Sequence, residues 1–512
     1  MPGSGGGSDA GPYQPLGGVE APAAEVPSSP DPAAVKHLTG GAPSFVELAA
    51  ELSAVQAAGR KLQEASAAGR RLVFTALARM HRSDIVGART ALDNAVALVS
   101  PQQACGEDLW SDRELRLRVV EVGGGFPHFA QGYIAGRAFL SFLEGGVLTP
   151  TMPESLKIGV EDIDDERYLI GVIDAAREVE RYAVNRGQAL DLKSIHISLQ
   201  TVQSLEQALM QFDFRNSDLR RRFDSVKYIV KKLETLAYEV GLAKRRAAAA
   251  AGNEAAAAGD EPVGKRSKVA DPAAECSTRT AVDLHLLDRI KERYDHFDSM
   301  REQILKRSRD VIKAAKNAIY ALQRDDFKKA DAMLNQCSKD AGSIFKELVA
   351  RSPSHRTSLF GAALEELSEA LAFRAFRREK RLLGRSELQE ASGLPFSFTL
   401  PEYLGGIMDL TGEVCRHAVR SAGKGRQAVP DVELCLACVD SVYVGLQELP
   451  DLPGGLGKKM GGLKNTLTKI EGVLYELALL SQGGMSVRAL PPTGFENEGG
   501  GEHGAGHDFG DR

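Results

Sequence analysis

VKYIVKKLETLAYEVGLA at residues 226–243 and LKNTLTKIEGVLYELALL at residues 463–480 carry the architecture of this chain. Apolar residues recur in both at steps of three and four, the spacing that gathers them on one face of an α-helix. The stretches also match each other: Lys227, Lys232, Glu234, Tyr238 and Glu239 correspond to Lys464, Lys469, Glu471, Tyr475 and Glu476. A second pair lies upstream, where YLIGVIDAAREVERYAV at 168–184 matches YLGGIMDLTGEVCRHAV at 403–419. The two offsets are 237 and 235 residues. The chain therefore repeats a unit of about 200 residues, too long for a solenoid repeat.

On either side of these stretches, the same periodicity marks 44–80, 125–144, 164–186 and 188–212, then 284–323, 325–350, 354–382, 401–423 and 429–448. In 284–323 the apolar face is Phe297, Met300, Ile304, Val311, Ala315, Ile319 and Leu322. No series of period-two strands is evident. The expected fold is all-α, with tandem helical bundles at 44–243 and 284–482. Residues 1–43, 244–283 and 483–512 are rich in Gly, Pro, Ala or Ser and poor in bulky apolar side chains. Such segments bury too little surface to offset their ordering entropy, so two disordered tails and a disordered linker are expected. The Ala runs of the linker can form helix transiently but have no amphipathic face to dock it.

The bulk composition agrees. Hydrophobic residues make up 43%, charged residues 26% and aromatics 6%, which favours helices over β-sandwiches. A net charge of −5 excludes a global basic field, so a nucleic-acid partner would need a local patch. Six cysteines in 512 residues give no disulfide framework and fit a reducing compartment. No apolar run reaches the roughly 18 residues of a membrane span. The N-terminal MPGSGGGSDAGPYQP lacks the basic-then-apolar pattern of a secretory signal.

The ordered motifs resemble the translin family. ERYLIGVIDAAREVERYAV, LKSIHIS and NSDLRRRFDSVKYIVKKLETLAYEV make the first block similar to the translin branch. SRDVIKAAKNAIY, ALEELSEALAF, YLGGIMDLTGE and KKMGGLKNTLTKIEGVLYEL make the second similar to the translin-associated factor X (TRAX) branch. The resemblance covers about 400 residues and implies two translin-like bundles, a homo-oligomer closed into a shell, and binding of single-stranded RNA or DNA. For the TRAX-like block it implies Mg²⁺-dependent endoribonuclease activity on passenger strands or tRNA fragments. Argonaute-type silencing partners and a cytoplasmic and nuclear location belong to the same expectation.

Glu366 and Glu369 are three residues apart, and Asp409 and Glu413 four apart, so each pair shares a helix face. If the two helices meet, four carboxylates converge. Like charges at that range repel and protonate unless a cation intervenes. Hard cations such as Mg²⁺ or Mn²⁺ take oxygen ligands, and two of them about 3.5–4 Å apart can drive phosphodiester cleavage. The resemblance puts the family's catalytic acids at these four positions. By spacing alone, Glu366 and Glu369 read more readily as solvated acids on a helix surface, since helices are rich in Glu, whereas Asp409 and Glu413 lie in a mostly apolar segment. A di-iron bundle would need Glu-x-x-His on two helices. His417, four residues after Glu413, is the nearest histidine. The first block keeps Asp174 and Glu178, but GYIAGRAF from Gly132 replaces the Glu-x-x-Glu helix, so this block is expected to be non-catalytic.

For RNA, Lys306, Arg309, Lys313 and Lys316 form a stripe at helical steps that could follow a phosphate backbone. A solvated basic face is the alternative. His355 and Arg356 precede the acidic helix and are further candidates for phosphate contact. In the first block GGGFPHFAQGY stands where translin has a basic-and-histidine cluster, and Arg220 to Arg222 with Lys227, Lys231 and Lys232 form a basic run that could partly replace it. Cys435 and Cys438 are a lone C-x-x-C in an apolar stretch, read as buried structural thiols rather than zinc ligands. His503 and His507 make a poor metal site. Lys265, Arg266 and Lys268, with Lys244 to Arg246 upstream, fit a nuclear import signal.

Overall fold

The computed structural model describes residues 45–99, 115, 118–120, 124–149, 161–215, 217–256, 282–350, 355–356, 360–450, 452–453 and 455–481. Those residues are mostly helical, with no strand among them. The tails expected to be disordered, the linker beyond 256 and its Lys265–Lys268 run lie outside the described residues.

The first block comprises α1 (Phe45–His81), α2 (Ile85–Leu98), α3 (Phe126–Gly145), α4 (Glu161–Gln188), α5 (Leu192–Leu209) and α6 (Asp218–Ala256). The second comprises α7 (Leu284–Gln323), α8 (Phe327–Ile344), α9 (Gly361–Glu379), the short α10 (Arg385–Ser392), α11 (Leu400–Ala422), α12 (Val429–Gln447) and α13 (Met460–Ser481). Helix starts follow the capping residues. Asp191, Asp283 and Asp326 each accept a backbone N–H three residues on, and Thr399 with Glu402 forms a capping box at α11. Short α2 and α10 carry too little periodicity to stand out in the sequence.

One boundary is corrected. Residues 244–256, expected to start a disordered linker, continue α6, and Val282 is buried. Alanine has the highest helix propensity, and here the run extends a helix already nucleated and docked upstream.

The blocks interlock. Phe45, Leu48 and Leu52 at the start of α1 are buried in the core of the second block, while α1 from Val55 onward belongs to the first. Reciprocally, Val282, Leu287 and Ile290 are buried in the first core, and α7 from Met300 onward belongs to the second. Phe45 lies so close to α12 that a Cβ at Gly445 would stand 2.2 Å from its ring. Ion pairs line the crossing: Arg385 Nη2 to Glu51 Oε2 at 2.9 Å, Arg293 to Asp165 at 2.5 Å, and Arg215 to Asp298 and Glu302 at 2.5 and 2.6 Å.

Candidate active site

Two glycines set the site. A Cβ on Gly405 would stand 2.7 Å from the Glu365 carboxyl carbon, and one on Gly406 would stand 2.5 Å from Ser368 Oγ. Only glycine lets α11 approach α9 this closely. The approach lays Glu366 and Glu369 of α9 beside Asp409 and Glu413 of α11.

Each outer carboxylate has a partner. Lys316 Nζ lies 3.0 Å from Glu366 Oε1. Lys459 donates to both oxygens of Asp409 at 2.9 and 2.7 Å, and stands 3.7 Å from Glu365 Oε2. Gln323 Nε2 donates to Glu413 Oε2 at 2.9 Å, and Arg416 lies 2.9 Å from Glu413 Oε1. Glu369 is 8% exposed and, among the described residues, has neither ion pair nor hydrogen bond at its carboxyl. Burial, then the charges of Glu366, Asp409 and Glu413, push its pKa up to about 8. Burial and Asp409 also raise Glu365, although Lys459 opposes them. The acids therefore feel one another. Among the described residues, however, no three His, Cys, Asp or Glu side chains stand together as metal ligands, and ammonium groups lie on two of the carboxylates.

The first block shows the same scaffold with different contents. A Cβ on Gly171 would strike Ile134 and the Gln131 carbonyl at 2.7 and 2.8 Å, as one on Gly406 would strike Ser368 and the Glu365 carbonyl. This register puts Gly132 and Ala135 in the places of Glu366 and Glu369. Asp174 takes Arg222 Nη1 at 2.5 Å, as Asp409 takes Lys459. Glu178 takes His81 Nε2 at 2.6 Å and Arg181 at 3.9 Å, as Glu413 takes Gln323 and Arg416. Half the carboxylates remain and their partners are retained in kind.

Lys306, Arg309 and Lys313 are exposed on α7 and have no acidic partner among the described residues, so the stripe is a free basic face leading to Lys316. Tyr320, 56% exposed and stacked under Arg324 at 4.1 Å, follows one turn later. His355 and Arg356 are corrected as phosphate contacts. His355 is 3% exposed and stacks on Phe297 at 3.8 Å. Arg356 is 8% exposed, forks onto Glu402 at 3.0 and 2.9 Å and lies over Phe396. His355 is thus packed against α7, and Arg356 is held on the first turn of α11. In the first block, Arg220, Arg221 and Arg222 pair with Asp224 and Asp218 on their own helix, and Lys232 pairs with Glu180. That run is largely neutralised.

The Translin family sequence profile matches residues 128–244 and 299–480, more than half of the chain. This chain belongs to the translin family. It is 33% identical to Bos taurus translin over 123 residues, 22% of this chain and 54% of that protein. It is 23% identical to the translin-associated protein X homolog of Schizosaccharomyces pombe over 193 residues, 35% of this chain and 81% of that protein. Each match to a translin thus spans about half of the relative's length. A crystal structure of apo-NeC3PO shares 25% identity and a TM-score of 0.33, covering 37% of this chain and 96% of that one.

Within this translin-family chain, His417 is no ligand beside Glu413. Its Nε2 lies 3.0 Å from Asp431, whose carboxyl it holds well below the usual range together with Ser421 and Lys380. A di-iron reading of this helix loses its nearest histidine. Cys435 and Cys438 are buried and unbridged, and burial pushes the Cys438 thiol up to about 12, as expected for structural thiols. Sequence reading missed Lys459, Gln323 and Glu365. The repeat register carried a signal for Lys459, which stands 237 residues after Arg222, the same offset as Lys464 after Lys227.

Proposed function

We propose that this chain is a metal-dependent endoribonuclease acting on single-stranded RNA, with Glu366, Glu369, Asp409 and Glu413 as its catalytic and metal-holding acids. The observation that carries this reading is Glu369, buried among three like charges. An all-carboxylate donor set suits a hard divalent cation, Mg²⁺ or Mn²⁺, and neutralising such a cluster is the service a cation would perform. When bound, it would polarise water and stabilise the leaving oxygen of the phosphodiester. Burial and the neighbouring acids push the Glu369 pKa up, which suits it to hold or pass a proton. Lys316 and Lys459 hold Glu366 and Asp409 in place and would be free to meet phosphate oxygens once those acids are neutralised. Lys306, Arg309 and Lys313 would hold the strand upstream. The first block, lacking the Glu-x-x-Glu pair, would build the assembly.

By family likeness, the substrates would be passenger strands or tRNA fragments, the assembly a homo-oligomeric shell, the partners argonaute-type silencing proteins, and the location cytoplasm and nucleus. A second reading, a non-catalytic scaffold that binds RNA or single-stranded DNA, is favoured by the lysines that already neutralise Glu366 and Asp409. Glu413→Gln separates the two. On the first reading, cleavage of a labelled single-stranded RNA in Mg²⁺ falls by about 10²-fold or more, with the circular dichroism unchanged. Equal cleavage by a folded variant would refute the assignment.

A further inference from the structure

Beyond Glu413, α11 borders an open cleft of about 450 Å³ lined by Gly412, Cys415, Arg416, Val419, Arg420 and Lys469. Its rim is cationic and its floor small and apolar. Arg416 is shared with Glu413, whereas Arg420 and Lys469 are exposed and have no carboxylate partner among the described residues.

The repeat shows that the lining of this cleft differs from its counterpart in the first block. The first-block counterparts of Gly412, Cys415, Arg420 and Lys469 are Arg177, Glu180, Asn185 and Lys232. There, Glu180 pairs with Lys232, and Arg177 reaches Ser225 at 3.2 Å. Two replacements undo this. Cysteine in place of Glu180 leaves Lys469 uncompensated, and glycine in place of Arg177 empties the space above it, where a Cβ on Gly412 would meet nothing within 4 Å. Arginine in place of Asn185 adds a further cation.

The cleft is also aligned with the acids. Asp409, Glu413, Arg416 and Arg420 step by four, three and four along α11, so they share one face. Arg420 lies two turns, about 10 Å, past Glu413. On the other side, Lys316 meets Glu366 and Gln323 meets Glu413, so the α7 stripe arrives from the opposite end of the carboxylate row.

We propose that Arg416, Arg420 and Lys469 form a second phosphate-binding subsite, which holds the backbone of single-stranded RNA on the far side of the carboxylates from the Lys306–Lys313 stripe. The subsite rests on the RNA-substrate part of the function proposed above, not on cleavage. Arginine forks and a lysine ammonium are the donors that phosphodiesters take, and the open, shallow shape admits a strand without reading its bases.

The test is binding of a fluorescent single-stranded RNA to the full chain in EDTA, followed by anisotropy across a KCl series. In Arg420→Gln/Lys469→Gln, affinity should fall about tenfold, and the slope of log K against log salt should flatten by about 0.7 for each phosphate no longer held. Cys415→Glu, which recreates the Glu180–Lys232 pair, should weaken binding in the same direction. Wild-type affinity and slope in the folded double variant would overturn the proposal. Cleavage in Mg²⁺ is scored separately on the wild type. Cleavage with an unaffected double variant removes the subsite and keeps the nuclease. Weakened binding without wild-type cleavage keeps the subsite and removes the nuclease.

Discussion

Lys459 Nζ lies 2.7 Å from Asp409 Oδ2, and the repeat places Arg222 on Asp174 in the same way. An ammonium group in that position competes with any divalent cation for the same oxygens. Lys459→Ala should therefore raise the affinity for Mg²⁺ or Mn²⁺ several-fold, read by calorimetric titration. The pair is well exposed, so the variant should lose no more than about 1 kcal/mol of stability in the absence of metal. Identical metal binding in variant and wild type would show that Asp409 takes no part in holding a cation.

Glu369 makes stability depend on pH. Its folded pKa is raised from 4.5 to about 8 by burial and by Glu366, Asp409 and Glu413, against the pull of Lys316. Between those values the folded state holds more protons than the unfolded state, so this group's contribution becomes less favourable as pH rises from about 4.5 to 8. Glu369→Gln should flatten the fall of Tm with pH across that window, and Mg²⁺ should raise the wild-type Tm more at pH 8 than at pH 6. A wild-type and variant Tm that run parallel from pH 5 to 8 would contradict the buried cluster.

The interlocked cores predict that neither block folds alone. Phe45, Leu48, Leu52, Leu287 and Ile290 each bury an apolar side chain in the other block, at about 2 kcal/mol apiece. A chain cut at a protease site inserted between residues 257 and 281 should elute as one particle from size exclusion under native conditions. Phe45→Ala should lower the stability of the second block by about 3 kcal/mol. Two separately eluting, folded fragments would be the contrary result.

Much of this protein was legible in its residues alone. Helical periodicity placed the long elements, and the 235- and 237-residue offsets revealed the duplication. Spacing put Glu366 with Glu369, and Asp409 with Glu413, on common helix faces, because side-chain direction along a helix is fixed by its pitch. Periodicity says which residues share a face but not what that face meets. It took the folded chain to show that Gly405 and Gly406 bring α9 and α11 together, that Lys459 arrives on Asp409 from 50 residues away, and that Gln323 reaches Glu413 across 90. Tertiary packing also turned Arg356, basic and next to the acidic helix in sequence, inward onto Glu402. The exchange of helix ends between the cores was equally hidden. An apolar stripe as long as α1 or α7 reads the same whether it lies on one core or bridges two, because burial depends on partners that local sequence does not name.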